Sequence, residues 1–99
     1  MKNDNTQEYM DLVGLIIRKY LPKAKIVLYG SRARREHSHG ADIDVAIDNG
    51  GRVDKTVFSI IKDAIGDSKL PIMYDIVDYH AVSERMQKEI LKDGITWNR

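Results

Sequence analysis

Hydrophobic residues recur along the chain at two different spacings, which predict a regular alternation of helices and strands. Apolar positions three and four residues apart predict amphipathic helices over residues 6–19, 54–65 and 83–92. Shorter apolar runs between them predict strands over residues 26–29, 43–47 and 72–77. The tail 95–97 is expected to add a short strand or to pack back on the body.

Proline and glycine mark where several of these elements end. Pro22 stops the first helix, Gly66 is placed to cap the second, and the last helix ends at Gly94. The order is helix, strand, short helix, strand, helix, strand, helix, without repeats or linkers. It predicts a single α/β (α+β) domain over residues 1–99, with three layers and a central mixed β-sheet flanked by helices.

The same pattern assigns side chains to the core or to the surface. Along the second strand, one face is apolar and the other carries carboxylates: Ile43, Val45 and Ile47 alternate with Asp42, Asp44 and Ala46. The two later helices are predicted to turn apolar residues inward: Val57, Ile60, Ile61, Ala64, Ile65, Met86, Ile90 and Leu91. We expect the rings of Tyr9, Tyr20 and Tyr29 to pack in the core.

Composition narrows the function classes without choosing among them. With 42% hydrophobic and 31% charged residues, the chain has an ordinary globular composition. Its net charge of +1 gives no reason to expect direct nucleic-acid binding. The lack of cysteine excludes disulfides and fits a cytoplasmic protein. The polar start has no signal-peptide pattern, and no apolar run approaches the ~20 residues of a membrane span.

The first candidate for chemistry is the Gly30-Ser31 turn, which directly follows the first strand. Glycine permits a tight turn and a close approach of the backbone to a phosphate. Ser31 is placed to cap the short helix that follows and to offer its hydroxyl to a phosphate. Among the arginines of that helix, Arg34 is our candidate for the triphosphate, although the pattern leaves open whether Arg32, Arg34 or Arg35 reaches it.

The second candidate is a set of three aspartates. Asp42 and Asp44 are separated by one residue, so on a strand they point the same way and can hold one divalent cation between them. Asp75 in the next strand is placed to join them and to act as a general base. Its neighbours in sequence are apolar, a setting in which an unpaired charge is costly, so a metal or a structural ion pair with Arg32 or Arg34 is expected. Asp78 is a weaker substitute.

Three histidines complete the polar candidates. His37 and His39 form a His-x-His pair in a polar loop, a setting more typical of exposed residues than of a metal site. His80 follows the third strand and is expected at the surface.

Gly30-Ser31, ten intervening residues, Asp42-Ile43-Asp44 and a later strand with Asp75 resemble the minimal nucleotidyltransferases of the DNA polymerase β superfamily. The resemblance extends along nearly the whole chain and implies the nucleotidyltransferase fold. It implies that Asp42, Asp44 and Asp75 bind two Mg²⁺ ions, and that Gly30 and Ser31 hold the nucleoside triphosphate, with ATP as the substrate. The chain departs from the family pattern at Arg35, where many relatives have glycine.

The resemblance also implies a partner. Many family members of this size are similar to antitoxins paired with a HEPN-domain toxin, and AMP transfer to a tyrosine of the toxin silences it. A domain this small can hardly enclose an acceptor, so we expect the acceptor on another molecule, with self-association also possible. Two alternatives stay open: an antitoxin or regulatory subunit that acts by contact alone, and the catalytic subunit of a small-molecule transferase with a separate acceptor-binding subunit.

Overall fold

The computed structural model describes residues 5–36 and 40–97, which form four strands and four α-helices. In chain order the elements are α1 (Thr6–Tyr20), β1 (Lys25–Tyr29), α2 (Ser31–Arg34), β2 (Ile43–Asp48), α3 (Lys55–Asp67), β3 (Tyr74–Asp78), α4 (Glu84–Asp93) and β4 (Ile95–Trp97). A 3₁₀ turn, Tyr79–Ala81, follows β3. The predicted order of elements is confirmed, and the tail forms the short strand, one of the two outcomes expected for it.

The strands form one mixed sheet in the order β3-β2-β1-β4. β1 is antiparallel to both β2 and β4, whereas β2 and β3 are parallel. The register places Tyr29 opposite Asp44, and Asp44 opposite Asp75. The end of β1 therefore lies beside the beginnings of β2 and β3. We call this end of the sheet the carboxylate edge.

Apolar clusters cover both faces of the sheet, which confirms the three-layer architecture. On one face, α1 and α3 pack through Val13, Ile17 and Ile61 on the buried side chains of the strands. Ile43, Val45 and Ile47 belong to this cluster and are fully buried, as their alternation predicts. On the other face, Ile90 of α4 packs with Val27, Tyr29 and Ala46.

Side chains near its two ends stabilise α3, but the predicted glycine cap at its C-terminus is wrong. Asp54 caps α3 by accepting hydrogen bonds from the Thr56 and Val57 amides. Gly66 is not the C-terminal cap of α3, because the helix continues through it to Asp67 and ends at Ser68. There the Ser68 amide and hydroxyl donate to the carbonyls of Ala64 and Ile65, which satisfies the last turn.

Three residues predicted in the core are instead exposed: Ile60, Leu91 and Tyr20. Ile60 and Leu91 directly adjoin the buried Ile61 and Ile90, and adjacent helical residues point about 100° apart, so both cannot face the sheet. Tyr20 is the last residue of α1, and the Lys19 ammonium lies 5.8 Å from its ring centroid. β3 also begins at Tyr74, two residues later than predicted.

The C-terminal strand closes the fold against α1. The Trp97 indole donates to Asp11 Oδ1 at 3.0 Å, and the Trp97 carbonyl accepts from Arg18 at 2.6 Å. None of the helices formed by the described residues is both long and apolar enough to cross a membrane.

Candidate active site

Gly30 sits where β1 turns into α2, and two features of its position favour glycine. Its φ of 79° lies in the left-handed region, and a Cβ there would overlap the Asp44 carboxylate. Gly30, not Ser31, is the N-cap of α2, so the expected capping by the serine side chain is wrong. Ser31 already has helical geometry as the first residue of the helix. Its hydroxyl makes no hydrogen bond to any described residue.

The three predicted carboxylates come together at the sheet edge next to Gly30. Asp44 and Asp75 are directly opposite on adjacent strands, about 5 Å apart between backbones. Asp42 lies two residues before Asp44. Burial, followed by the charges of Asp75 and Asp42, raises the pKa of Asp44, and the charge of Arg34 partly offsets this. These carboxylates therefore repel one another across a shared space.

Asp75 is exposed rather than held in an apolar setting. The apolar neighbour Ile76 points to the opposite face of the sheet, because side chains alternate along a strand. Asp75 makes no ion pair with any described residue, so the alternative of a structural pair with Arg32 or Arg34 is not supported.

Among the described residues, no three carboxylate or imidazole groups are already arranged to hold a metal ion. The chemistry of the donor set nonetheless fits a divalent cation. Hard cations prefer oxygen ligands, and a bound cation would relieve the burial and the neighbouring negative charges that raise the pKa of Asp44. Asp42, Asp44 and Asp75 are the residues that would hold it.

Tyr29 was predicted only as a core residue, yet it borders the carboxylates. It is 7% exposed, and its hydroxyl is buried without a hydrogen-bond partner among the described residues. Burial, and then the charges of Asp75 and Asp44, raise the pKa of Tyr29 above its ordinary value. Its position opposite Asp44 follows from the strand register, which the sequence alone does not specify.

The three arginines of the Gly-Ser-Arg-Ala-Arg-Arg run have different roles. Arg32 is buried and donates to the Ala41 carbonyl at 3.0 Å and to the Thr6 hydroxyl at 2.7 Å, so it ties α1 to the segment before β2. Arg34 is exposed and pairs with Glu36 at 2.9 Å and with Asp93 of α4 at 3.4 Å. It is the arginine whose charge acts on Asp44.

Arg35, where the chain departs from glycine, has a backbone conformation that favours glycine. It ends α2 with φ 60° and ψ 32°, the left-handed conformation that glycine adopts most easily. Its amide donates to the carbonyl of Arg32, and the Glu36 amide donates to that of Ser31. The loop therefore keeps a helix-ending geometry that suits glycine, although an arginine occupies it.

The remaining polar candidates lie away from this edge. Asp78 is buried on the face that α3 covers and accepts hydrogen bonds from the amides of Val53 and His80. It therefore stabilises the segment before α3 and the 3₁₀ turn. His80 contacts Asp48 at 2.6 Å. Burial tends to raise the pKa of Asp48, but the Gly50 amide and the His80 ring outweigh it and lower that pKa. His37 and His39 lie outside the described residues.

Comparison with known proteins places this arrangement in a family. Residues 15–97 match the family model described as polymerase beta, nucleotidyltransferase. The chain therefore belongs to the polymerase β nucleotidyltransferase family, and the fold that the resemblance implied is confirmed.

Individual relatives are similar over most of the chain. One is a Haemophilus influenzae protein named probable protein adenylyltransferase MntA, which is 27% identical over 89 residues, covering 90% of this chain and 78% of that protein. A solved complex from Shewanella oneidensis, described as a tri-AMPylated HEPN toxin with its MNT antitoxin, matches with a TM-score of 0.71 and 21% identity, covering 94% of this chain and 72% of the other. A toxin–antitoxin structure with AMP-PNP matches with a TM-score of 0.67 and 19% identity, covering 100% and 75%.

Proposed function

We propose that this chain is a protein adenylyltransferase that transfers AMP from ATP to a tyrosine hydroxyl of a HEPN-domain toxin and thereby acts as its antitoxin. The observation that carries the proposal is the meeting of Asp44 and Asp75 beside Gly30, at a sheet edge where a side chain on residue 30 would block Asp44. The adenylyltransferase name of the Haemophilus relative and the AMPylated toxin in the Shewanella complex support the choice of reaction and partner.

Each residue of the edge has a proposed task. Asp42, Asp44 and Asp75 would hold two Mg²⁺ ions, which would neutralise phosphate charge. The Ser31 hydroxyl, which has no hydrogen-bond partner among the described residues, and the backbone at Gly30 hold the triphosphate, while Arg34 adds a positive charge beside it. Arg34 would leave Glu36 and Asp93 to do so, an exchange between exposed ion pairs that costs little.

The transfer itself is a displacement at the α-phosphorus of ATP. The tyrosine oxygen forms a bond to that phosphorus, the bond to the pyrophosphate oxygen breaks, and pyrophosphate leaves with the electron pair. Asp75 accepts the proton of the tyrosine hydroxyl, because it is exposed at the edge and has no ion-pair partner among the described residues.

Label transfer tests this proposal. The chain is incubated with Mg²⁺, ATP labelled at the α-phosphate and a HEPN-domain toxin, and we expect label on a toxin tyrosine identified by mass spectrometry. The variant Asp42→Asn with Asp44→Asn should lose at least 100-fold in rate, on the order of the loss from removing a charge-stabilising group. A matched control, Asp67→Asn on α3 with Glu89→Gln on α4, changes two exposed acids away from the site and should transfer normally.

Label transfer that survives the double change at the edge would contradict the carboxylate assignment. If the same variant transferred no label yet still neutralised the toxin in cells at normal protein levels, contact alone would account for the antitoxin activity.

A further inference from the structure

A groove runs along the outer side of β3, apart from the carboxylate edge. It encloses about 620 Å³ between β3, α3 and the segment that follows the 3₁₀ turn. Its lining is largely apolar, with Phe58 and Val82 half-buried and Ile76 fully buried. Asp42, Asp44 and Asp75 are not among its lining residues, so the groove is not the nucleotide site.

The strand that borders the groove has a free edge. β3 is the last strand of the sheet formed by the described residues. The Met73 carbonyl faces β2, since it accepts from the Ile43 amide at 3.1 Å. Peptide groups alternate in direction along a strand, so those of Tyr74 and Ile76 turn outward. An extended segment could pair with them as a fifth strand.

Positive charge surrounds the groove. Arg52, Lys55 and Lys62 are exposed at its rim and make no ion pair with any described residue. Lys62 lies 5.8 Å from the centroid of the Phe58 ring. Of the two acids in the lining, Asp78 already accepts two backbone amides, which leaves Asp63 to balance three cations.

We propose that this groove docks an extended acidic segment of the protein that receives AMP, with that segment paired to the free edge of β3. The identity of the partner rests on the proposed function, whereas the docking chemistry rests on the groove itself. Carboxylates of the segment meet Arg52, Lys55 and Lys62, and alternate apolar side chains fill the groove beside Phe58.

The position of the groove explains how a small domain can present an acceptor to its active site. Asp75 and Asp78 lie on the same strand three residues apart, which is about 10 Å at the rise of a β-strand. A segment that follows β3 from the groove therefore leads directly past Asp75. A symmetric dimer through this groove is disfavoured, because both copies would bring the same cationic rim.

Peptide binding to the full chain tests the proposal without ATP or Mg²⁺. The probe is a fluorescein-labelled peptide of alternating glutamate and valine, compared with one of alternating lysine and valine. We expect the glutamate peptide to bind at least about tenfold more tightly, with NMR shift changes at the Tyr74 and Ile76 amides. The variant Arg52→Glu with Lys62→Glu should weaken its binding by a further factor of about ten or more.

The control variant, Lys19→Glu with Lys88→Glu, makes the same change in net charge outside the groove and should alter binding less than about twofold. The milder variant Arg52→Gln with Lys62→Gln should show an intermediate loss. Equal losses in the groove and control variants would overturn the proposal, as would equal binding of the two peptides. A uridine oligonucleotide that binds more tightly than the glutamate peptide, or a dimer that dissociates when Arg52 and Lys62 are reversed, would also overturn it.

These outcomes separate the two proposals. Peptide binding that depends on the groove, without any AMP transfer, would contradict only the proposed function. Transfer of AMP to a toxin at the same KM in the wild type and the groove variant would contradict only the docking site.

Discussion

Gly30 meets two separate demands of the site, a left-handed backbone and room for the Asp44 carboxylate. Gly50 meets only the first, because its φ is 83° but a Cβ there would have nothing within 4 Å. Substitutions at these two glycines can therefore distinguish the effect of backbone strain from the effect of crowding at the site. The sequence indicates a special role for Gly30 through its place after a strand, but not its contact with Asp44.

We expect Gly30→Ala to weaken Mg²⁺-dependent ATP binding at least about tenfold, because Asp44 must move to admit the methyl group. Gly50→Ala should leave ATP binding unchanged and lower the free energy of unfolding by about 1 kcal/mol, the cost of positive φ in a residue with a Cβ. Calorimetric titration and urea unfolding of both variants check this. Similar ATP binding in the two variants would contradict the proposed contact.

Asp44 makes the stability of the metal-free protein depend on pH. Its pKa is raised in the folded state, so the folded state binds the proton more tightly than the unfolded state. The free energy of unfolding therefore decreases as the pH rises through the raised pKa, and the penalty is complete once the pH is above that pKa.

Asp44→Asn removes that charge and should raise the free energy of unfolding at pH 7 by about 0.2–1 kcal/mol, the range for charged pairs facing one another on adjacent strands. The gain should disappear below about pH 4, where the wild-type carboxyl is also protonated. Urea unfolding in a chelating buffer between pH 3 and 8 measures it. If the free energy of unfolding rose equally at pH 3 and at pH 7, the substitution would act by relieving steric crowding and not by removing charge repulsion.

At the scale of elements, α2 is a single helical turn whose position depends on one buried side chain. Arg32 joins it to α1 through Thr6 and to the segment before β2 through Ala41. Arg34, two residues later, is exposed and makes ion pairs at the surface. In sequence these arginines look alike, since both belong to one cationic run.

Arg32→Met should therefore lower the free energy of unfolding by about 1–3 kcal/mol, because it leaves buried acceptors without donors. Arg34→Met should change it by less than about 1 kcal/mol, as is typical of exposed ion pairs. Thermal or urea unfolding compares the two variants. Equal effects would mean that the Arg32 contacts contribute no more to stability than a surface pair does.

The sequence predicts the helices and strands better than it predicts their register and packing. Alternation of Ile43, Val45 and Ile47 with carboxylates identifies both faces of β2, because a strand that borders two environments has a period of two. Helical spacing alone does not define the width of the buried face, so the prediction that Ile60 and Leu91 are buried is wrong. Register, the burial of Arg32 and the position of Tyr29 depend on tertiary contacts that no local pattern encodes.

At the scale of the whole molecule, the proposed function makes this chain one half of a reaction centre, with the acceptor on another molecule. Its carboxylates meet at one end of the sheet, and the cationic groove lies nearby along β3. The central claim is that the edge formed by Gly30, Asp44 and Asp75 binds ATP together with a divalent cation. That claim can be tested on the isolated chain, independently of any acceptor.

Calorimetric titration of the isolated chain with AMP-PNP, in Mg²⁺ and in a chelator, is the most direct measurement. We expect one nucleotide to bind per chain in Mg²⁺, with affinity reduced at least about tenfold in the chelator and in Asp42→Asn with Asp44→Asn. The pair Asp67→Asn with Glu89→Gln should bind as the wild type does. Binding of the nucleotide with the same affinity by the wild type and the edge variant, with or without Mg²⁺, would contradict the account.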